Sequence, residues 1–243
     1  MVSGFLILLT AISFNGLGFS GPKTIPPAFR HGHRGARVVA LSFDDGPHRR
    51  ITPDIIRTLE DKDCRATFFL LGREVRKNPE TVRALAESPR CEIGNHSINH
   101  PDFGRLGKEQ ALQEIMENQW LIERVSGVIP RLFRPPYGSV GRGLFAASRQ
   151  AGVSIVLWDV DPEDWRGGKL SASEIAERVR PGSIILLHDI YPGTAEMLPE
   201  LIDELRERGF EFWFVSELIN FRRFAEAADA LLSNLGFAGA GGY

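Results

Sequence analysis

Cysteine is nearly absent. The 243 residues contain two, Cys64 and Cys91, with no CxxC spacing to hold zinc or run thiol exchange, so a disulfide-dense scaffold is excluded. Each lies just before an expected strand, ATFFLLG and EIGNH, and parallel pairing of those strands would bring the thiols toward disulfide reach. Two buried, inert thiols are the alternative. Charge of one sign is also missing: 29 Lys and Arg are interleaved with 31 Asp and Glu for a net charge of -2, which disfavours nucleic acid and other polyanions as partners. No internal repeat, carbohydrate-binding repeat or long aromatic groove is visible, and nothing in the pattern calls for an obligate protein partner.

The apolar run FLILLTAISF, Phe5 to Phe14, falls short of the roughly 20 residues that span a bilayer. It resembles a signal h-region, though no Lys or Arg precedes it and the cleavage sites near Ser13 or Ser20 fit a small-x-small pattern poorly. Export to the periplasm, medium or cell surface is the expectation, with membrane attachment only through this run as an N-terminal anchor. The alternative is an N-terminal element packed on a cytoplasmic domain.

What is present is a 43% hydrophobic chain, enough for a full core. It divides into an N-terminal segment and linker (1–37), one domain (38–220), and a C-terminal helix with a Gly-rich tail (221–243). His31 and His33 fall in the Gly- and Pro-rich linker, where solvated side chains are a better reading than an HxH metal site.

The domain is organised around VVALSFDDGP, Val38 to Pro47: an apolar run fit for a buried parallel strand that ends in two adjacent carboxylates, Asp44 and Asp45. Beyond it, Thr52 reads as an N-cap with Pro53 at the first helical position of a helix to about Asp61. A strand at ATFFLLG, a helix Pro79 to Glu87 and a strand at EIGNH follow. The longest amphipathic helix, Lys108 to Val125, has Leu112, Ile115, Met116, Gln119 and Ile122 at helical spacing, with Met116 and Trp120 assigned to the core. A short strand RLFRPP and a helix of about 144–151 closed by Gly152 come next. Then come strand VSIVLWDVD, a helix capped by Ser171 or Ser173, strand SIILLHD, a helix of about 194–208 and strand FEFWFV. The tail helix, with Phe224, Ala228, Leu231, Leu232 and Leu235, is expected to pack on the domain wall. Seven strands alternating with helices and short joints predict right-handed βαβ units around a parallel sheet.

Several strands end in chemically capable groups: Asp44 and Asp45, His96 and His100, Arg134, Asp159 to Asp164, and His188. In a parallel barrel all such ends share one rim, so these residues converge. His96 and His100 in HSINH stand four apart, which on a helical turn puts both imidazoles on one face. Asp45 or Asp44 could complete a metal triad, whose open positions allow a water to be acidified and a carbonyl polarised.

SFDDGP, HSINH, RPPYG, DPEDW and LLH, in this order over residues 38–218, resemble the five motifs of the polysaccharide deacetylase family, the NodB-like carbohydrate esterases. The resemblance implies an α/β fold, a distorted (β/α)7 barrel of TIM-barrel type. It implies metal-dependent hydrolysis of N-acetyl groups, occasionally O-acetyl, from acetylated glycans such as peptidoglycan or chitin. Carried over residue by residue, it makes Asp45, His96 and His100 ligands of one divalent ion and Asp44 the general base. Zinc is the first choice of ion, while Co, Ni or Fe also suit such ligands. Arg134 would pair with Asp44, and the backbone N–H of Tyr137 would meet the oxyanion. His188 would be the general acid, held by Asp164, with Asp161 the other candidate. Leu186 would line a pocket for the acetyl methyl, and Trp165 would wall it or stack on a sugar, whereas Trp158 reads as core and Asp159 and Asp189 as loop braces. A non-haem iron oxygenase, which also uses two His and one carboxylate, and an inactive glycan-binding protein are the competing classes.

Overall fold

Alternation along the first strand decides which side chains face the site. The computed structural model describes residues 28–167 and 171–234. The apolar run Phe5 to Phe14, the linker up to residue 27, the Gly-rich tail and the side chains of Leu231, Leu232 and Leu235 lie outside the described residues. Strand β1 (Val38–Asp44) is buried throughout. Val39, Leu41 and Phe43 join the core that holds Ile55, Leu59, Leu201 and Leu205 of the surrounding helices, and Phe43 stacks on Phe68 at 4.9 Å. The opposite face puts Val38 and Ala40 in a second cluster with Phe69, Ile184 and Val215, and leads through Ser42 to Asp44.

Helix α1 (Ile51–Asp61) is followed by β2 (Ala66–Leu70), α2 (Gly72–Lys77), α3 (Pro79–Glu87) and β3 (Cys91–Asn95). Then come α4 (Lys108–Ser126), β4 (Leu132–Phe133), α5 (Arg142–Ala151), β5 (Ser154–Ile155), α6 (Ala172–Arg178), β6 (Ile184–His188), α7 (Pro192–Glu207), β7 (Glu211–Phe212) and α8 (Val215–Asn234). All pairings among these strands are parallel, in the order β5-β4-β3-β2-β1-β6, with β7 beside the start of β1. The curled sheet with its outer helices is the expected α/β architecture, a distorted (β/α)7 barrel. After β5 the chain crosses to β6, where Val160 bridges Ile185 and Asp159 accepts from Ile184 N at 2.8 Å. Register brings the chemistry to one level: Asp44 lies opposite Phe69 and His188, Leu70 opposite Asn95, and Asn95 opposite Phe133, one residue before Arg134.

Several local expectations are corrected. Helix α1 begins at Ile51, before Thr52, because the Thr52 hydroxyl donates to Asp189 Oδ2 (2.5 Å) and accepts from His48 N, while His48 Nδ1 accepts from Arg50 N and Ile51 N. Short α2, unread in the sequence, follows β2 directly. The buried face of α4 is Ala111, Ile115, Asn118, Gln119 and Ile122, so Met116 (39% exposed) and Trp120 (69%) are not core. The amides displace them because each is bonded: Asn118 Nδ2 donates to Leu70 O and Asn95 Oδ1, and Gln119 Nε2 to Pro130 O. The runs VSIVLWDVD and FEFWFV yield strands of only two residues each.

Helix α8 starts at Val215, ahead of the expected 221, and packs through Val215, Leu218 and Ile219 while Phe224 is exposed. Residues 28–37 are stitched to the domain rather than loose. Phe29 is buried and bonds across Ile155 and Leu157, Gly32 N donates to Gly182 O, and the half-buried His33 ring meets Phe221 edge-on. Cys64 and Cys91 are free thiols, each pushed up to about 12 by burial, in keeping with inert packing rather than a disulfide. Among the described residues no helix is long and apolar enough to cross a membrane.

Candidate active site

The two adjacent acids part company at one bond. Asp44 ends β1 in extended backbone, whereas Asp45 takes a left-handed φ of 71°, a conformation Asp tolerates better than most residues. The turn sends the carboxylates to different partners. Asp44, 3% exposed, accepts from Arg134 Nη1 at 2.8 Å. Arg134 is fully buried against the face of Phe69, 4.1 Å from the ring centroid, and its Nη2 donates to Leu157 O. Burial pulls the guanidinium pKa down and Asp44 pulls it back up.

Asp45 Oδ1 lies 3.2 Å from His100 Nε2 and 3.5 Å from His96 Nε2. HSINH is not the helical turn its spacing suggested. It is a bend with left-handed backbone at Ser97 (φ 72°) and His100 (φ 64°), fixed by Ser97 N donating to Asn95 Oδ1 and His100 N to Ser97 Oγ. His96 is buried, and its Nδ1 lies 2.7 Å from Arg134 O. A carbonyl only accepts, so Nδ1 carries the proton and Nε2 offers its lone pair to the site.

These residues fit a metal ion. One ligand atom each from Asp45, His96 and His100 lies within 4.8 Å of the other two, and Asp45 Oδ1 is buried with no hydrogen-bond partner among the described residues. Burial alone would raise the Asp45 carboxyl, but the two imidazoles beside it, His100 and then His96, carry it well below the usual carboxylate range. An anion so placed is the partner a cation needs.

On the far side, His188 ends β6, with Nδ1 2.7 Å from Asp164 Oδ1. Asp164 is buried in the turn Asp164–Arg166, and its Oδ2 accepts from His188 N and Thr194 Oγ1. Burial opposes the imidazolium, but the hydrogen bond and charge of Asp164, with Asp44 and Asp45 beyond, raise His188 to about 9. Asp161 instead accepts from Glu163 N within its own turn. Asp159 braces Ser183, Ile184 and Arg34, and the buried Asp189 is pushed up to about 7 by burial against the opposing Thr52 bond.

Asp44, Asp45, His96, His100 and His188 open on one cavity of about 500 Å³, lined also by Leu186, Tyr137, Trp165, Trp158, Asp161 and Tyr191, with Arg134 and Asp164 behind it. Tyr137 sits at the lip with φ 60°, 71% exposed, its ring edge-on to His100. Trp165 is exposed beside Arg166, and Leu186 is buried in the floor. Trp158, read as core, is half-buried and faces the cavity as well as the interior. Thr194 and Tyr191 escaped sequence reasoning because nothing in a lone hydroxyl at a helix start marks it; only the LLHD-to-helix joint, beside a candidate acid, was a signal.

The polysaccharide deacetylase family model matches residues 31–156. Peptidoglycan-N-acetylmuramic acid deacetylase PdaC of Bacillus subtilis is 40% identical over 194 residues, 79% of this chain. The chain spans only 40% of that relative's length. Chitooligosaccharide deacetylase of Bradyrhizobium sp. is 36% identical over 194 residues, which cover 73% of this chain and 88% of the relative. Among solved structures, the Bc1960 peptidoglycan N-acetylglucosamine deacetylase superposes with a TM-score of 0.74 at 30% identity, covering 80% of this chain and 94% of that one. The chain belongs to the polysaccharide deacetylase family.

Proposed function

We propose that this protein hydrolyses N-acetyl groups of an acetylated glycan, with peptidoglycan the first candidate and chitin-like oligomers the second. One observation carries the reading: a ligand triad (Asp45, His96, His100) shares a cavity with an Asp44–Arg134 pair on one side and an Asp164–His188 pair on the other.

Asp45, His96 and His100 would hold one divalent ion, zinc for preference, and it would supply Lewis acidity toward a water and the acetamide carbonyl. The remaining work falls to the chain. Asp44, oriented by Arg134, takes the proton from the attacking water. The Tyr137 backbone N–H, at the lip beside His100, is suited to the oxyanion. Leu186 in the cavity floor receives the acetyl methyl, and exposed Trp165 offers its face to a sugar. His188, protonated at neutral pH through Asp164, gives its proton to the departing amine.

An iron oxygenase would have no use for either flanking pair, and an inactive binder would not need all of them filled. The names of the relatives and the Phe5 to Phe14 run favour a cell-wall substrate met outside the cytoplasm.

The test is acetate release from peptidoglycan, chitooligosaccharides and acetylxylan, with and without chelator. Activity on an N-acetylated glycan that disappears on chelation and returns with zinc is expected; release that survives complete metal removal would sink the mechanism. Asp44→Asn should cut kcat about 10²- to 10⁴-fold while zinc still binds. Loss of zinc together with activity would mean that the two acids have exchanged roles.

A further inference from the structure

The bend that carries both imidazoles does not hold itself. Two of its five residues, Ser97 and His100, are non-glycine residues in left-handed backbone, a state that persists only where surrounding contacts over-determine it. Its internal bonds, Ser97 N to Asn95 Oδ1 and His100 N to Ser97 Oγ, tie the two ends. The middle, Ile98 and Asn99, is held from another element. Glu114 on α4 accepts from Ile98 N (3.2 Å) and Asn99 N (3.0 Å) through Oε2, and from Asn99 Nδ2 (2.8 Å) through Oε1. One carboxylate thus binds two consecutive backbone N–H groups and the side chain beside them, all charge-assisted bonds.

Helix α4 is itself pinned to the sheet one turn further on. Asn118 donates to Leu70 O and Asn95 Oδ1, and Asn95 Nδ2 donates to Ile115 O. The ends of β2 and β3 therefore fix α4, and α4 through Glu114 fixes the segment between His96 and His100. Loss of this carboxylate would free the two N–H groups to relax Ile98 and Asn99 toward ordinary backbone, swinging His100 away from Asp45 Oδ1.

We propose that Glu114 is a positioning residue that sets the spacing of the His96 and His100 imidazoles and thereby the affinity of the site for a divalent cation. The inference rests on reading Asp45, His96 and His100 as metal ligands. Glu114 touches neither ion nor substrate, so its signature is in metal binding rather than in turnover at saturating metal. Partners that orient ligands in this way typically tune affinity about 10- to 100-fold.

The experiment is zinc titration of the metal-stripped full chain against a chromophoric chelator, with melting of the metal-free protein and kcat at saturating zinc measured in parallel. Glu114→Ala should raise the zinc Kd about 10- to 100-fold while kcat recovers as zinc is added. In Glu114→Gln the amide oxygen still accepts from Ile98 N and Asn99 N, and the amide N–H finds Asn99 Oδ1 once that side chain flips, so most of the affinity lost in Glu114→Ala should be retained. Glu114→Asp keeps the charge but withdraws the carboxylate from the bend by one methylene, so its zinc Kd should lie between those of the parent and Glu114→Ala.

A merely structural Glu114 would lower the melting temperature of the metal-free protein and leave the zinc Kd of the folded fraction within about two-fold of the parent, which would overturn the proposal. Should Glu114→Ala not fold, Glu114→Gln and Glu114→Asp decide: a Glu114→Asp Kd equal to the parent's, or a Glu114→Gln Kd no better than that of Glu114→Asp, would also overturn it. Parent protein that binds no zinc, indistinguishable from His96→Ala, would instead bring down the functional reading itself.

Discussion

A histidine that serves as an acid must hold its proton at the working pH. For His188 in the acid role proposed above, burial works against this, and Asp164 more than compensates, raising the imidazole from 6.5 to about 9. The alkaline limb of kcat/KM should therefore fall as pH approaches 9; a bound divalent ion opposes the contributions of Asp44 and Asp45, so the limb of the loaded enzyme lies at or below that value. Asp164→Asn should shift the limb toward 6.5 and depress activity at pH 8, read from pH–rate profiles of the two proteins. The same linkage acts on stability. Because the folded-state value is raised, the pair's contribution is fully present below pH 6.5 and is lost as pH rises through about 9. Melting temperatures across that window should decline in the parent and stay flatter in Asp164→Asn; parallel curves would remove Asp164 as the cause.

At the scale of elements, legibility tracked how local the deciding force was. Strands β1, β2 and β6 could be read because their apolar runs are decided by burial alone, and α3 because Pro79 opens it. Where a partner distant in sequence wins, local rules fail. Thr52 looks like an N-cap but gives its hydroxyl to Asp189, and HSINH looks helical until Glu114 and Asn95 bend it. The face of α4 is the clearest case, since hydrophobicity ranks Met116 and Trp120 above Asn118 while hydrogen bonding reverses the order. A pair of variants measures the reversal. Asn118→Ala should cost about 2 kcal/mol, because Leu70 O and Asn95 Oδ1 each lose a buried donor. Trp120→Gln, on the exposed face, should fall within about 0.5 kcal/mol of the parent. Denaturant unfolding of both against the parent is the measurement, and a larger loss for Trp120→Gln would return that face to the core.

At the scale of the whole molecule, the site draws on the ends of five strands, and the parallel sheet explains why residues from Asp44 to His188 meet. The convergence of these residues was therefore legible once the strands were counted. How the barrel closes was not. Strands β4 and β5 are two residues long, so the wall between β5 and β6 relies on other contacts: Val160 against Ile185, Asp159 on Ser183 and Ile184, and the segment around Phe29. Phe29, 2% exposed, bonds through its backbone to Ile155 and Leu157 and fills the cluster under Trp158. Sequence reading took this segment for a linker, since Gly and Pro surround it and a single buried ring has no period. The wall it supports carries Trp158, Asp161, Asp164 and Trp165, so its loss should be felt in the cavity as well as in the fold. Phe29→Ala is expected to cost about 3–5 kcal/mol. Because Asp45, His96 and His100, the proposed zinc ligands, lie on the other wall, zinc affinity of the folded protein should hardly change, while KM rises and the alkaline limb expected from the Asp164–His188 pair moves. Phe29→Leu, which keeps most of the volume, should recover both stability and KM. If Phe29→Ala weakens zinc binding as much as substrate binding, the two walls are coupled and the barrel does not divide its labour in this way.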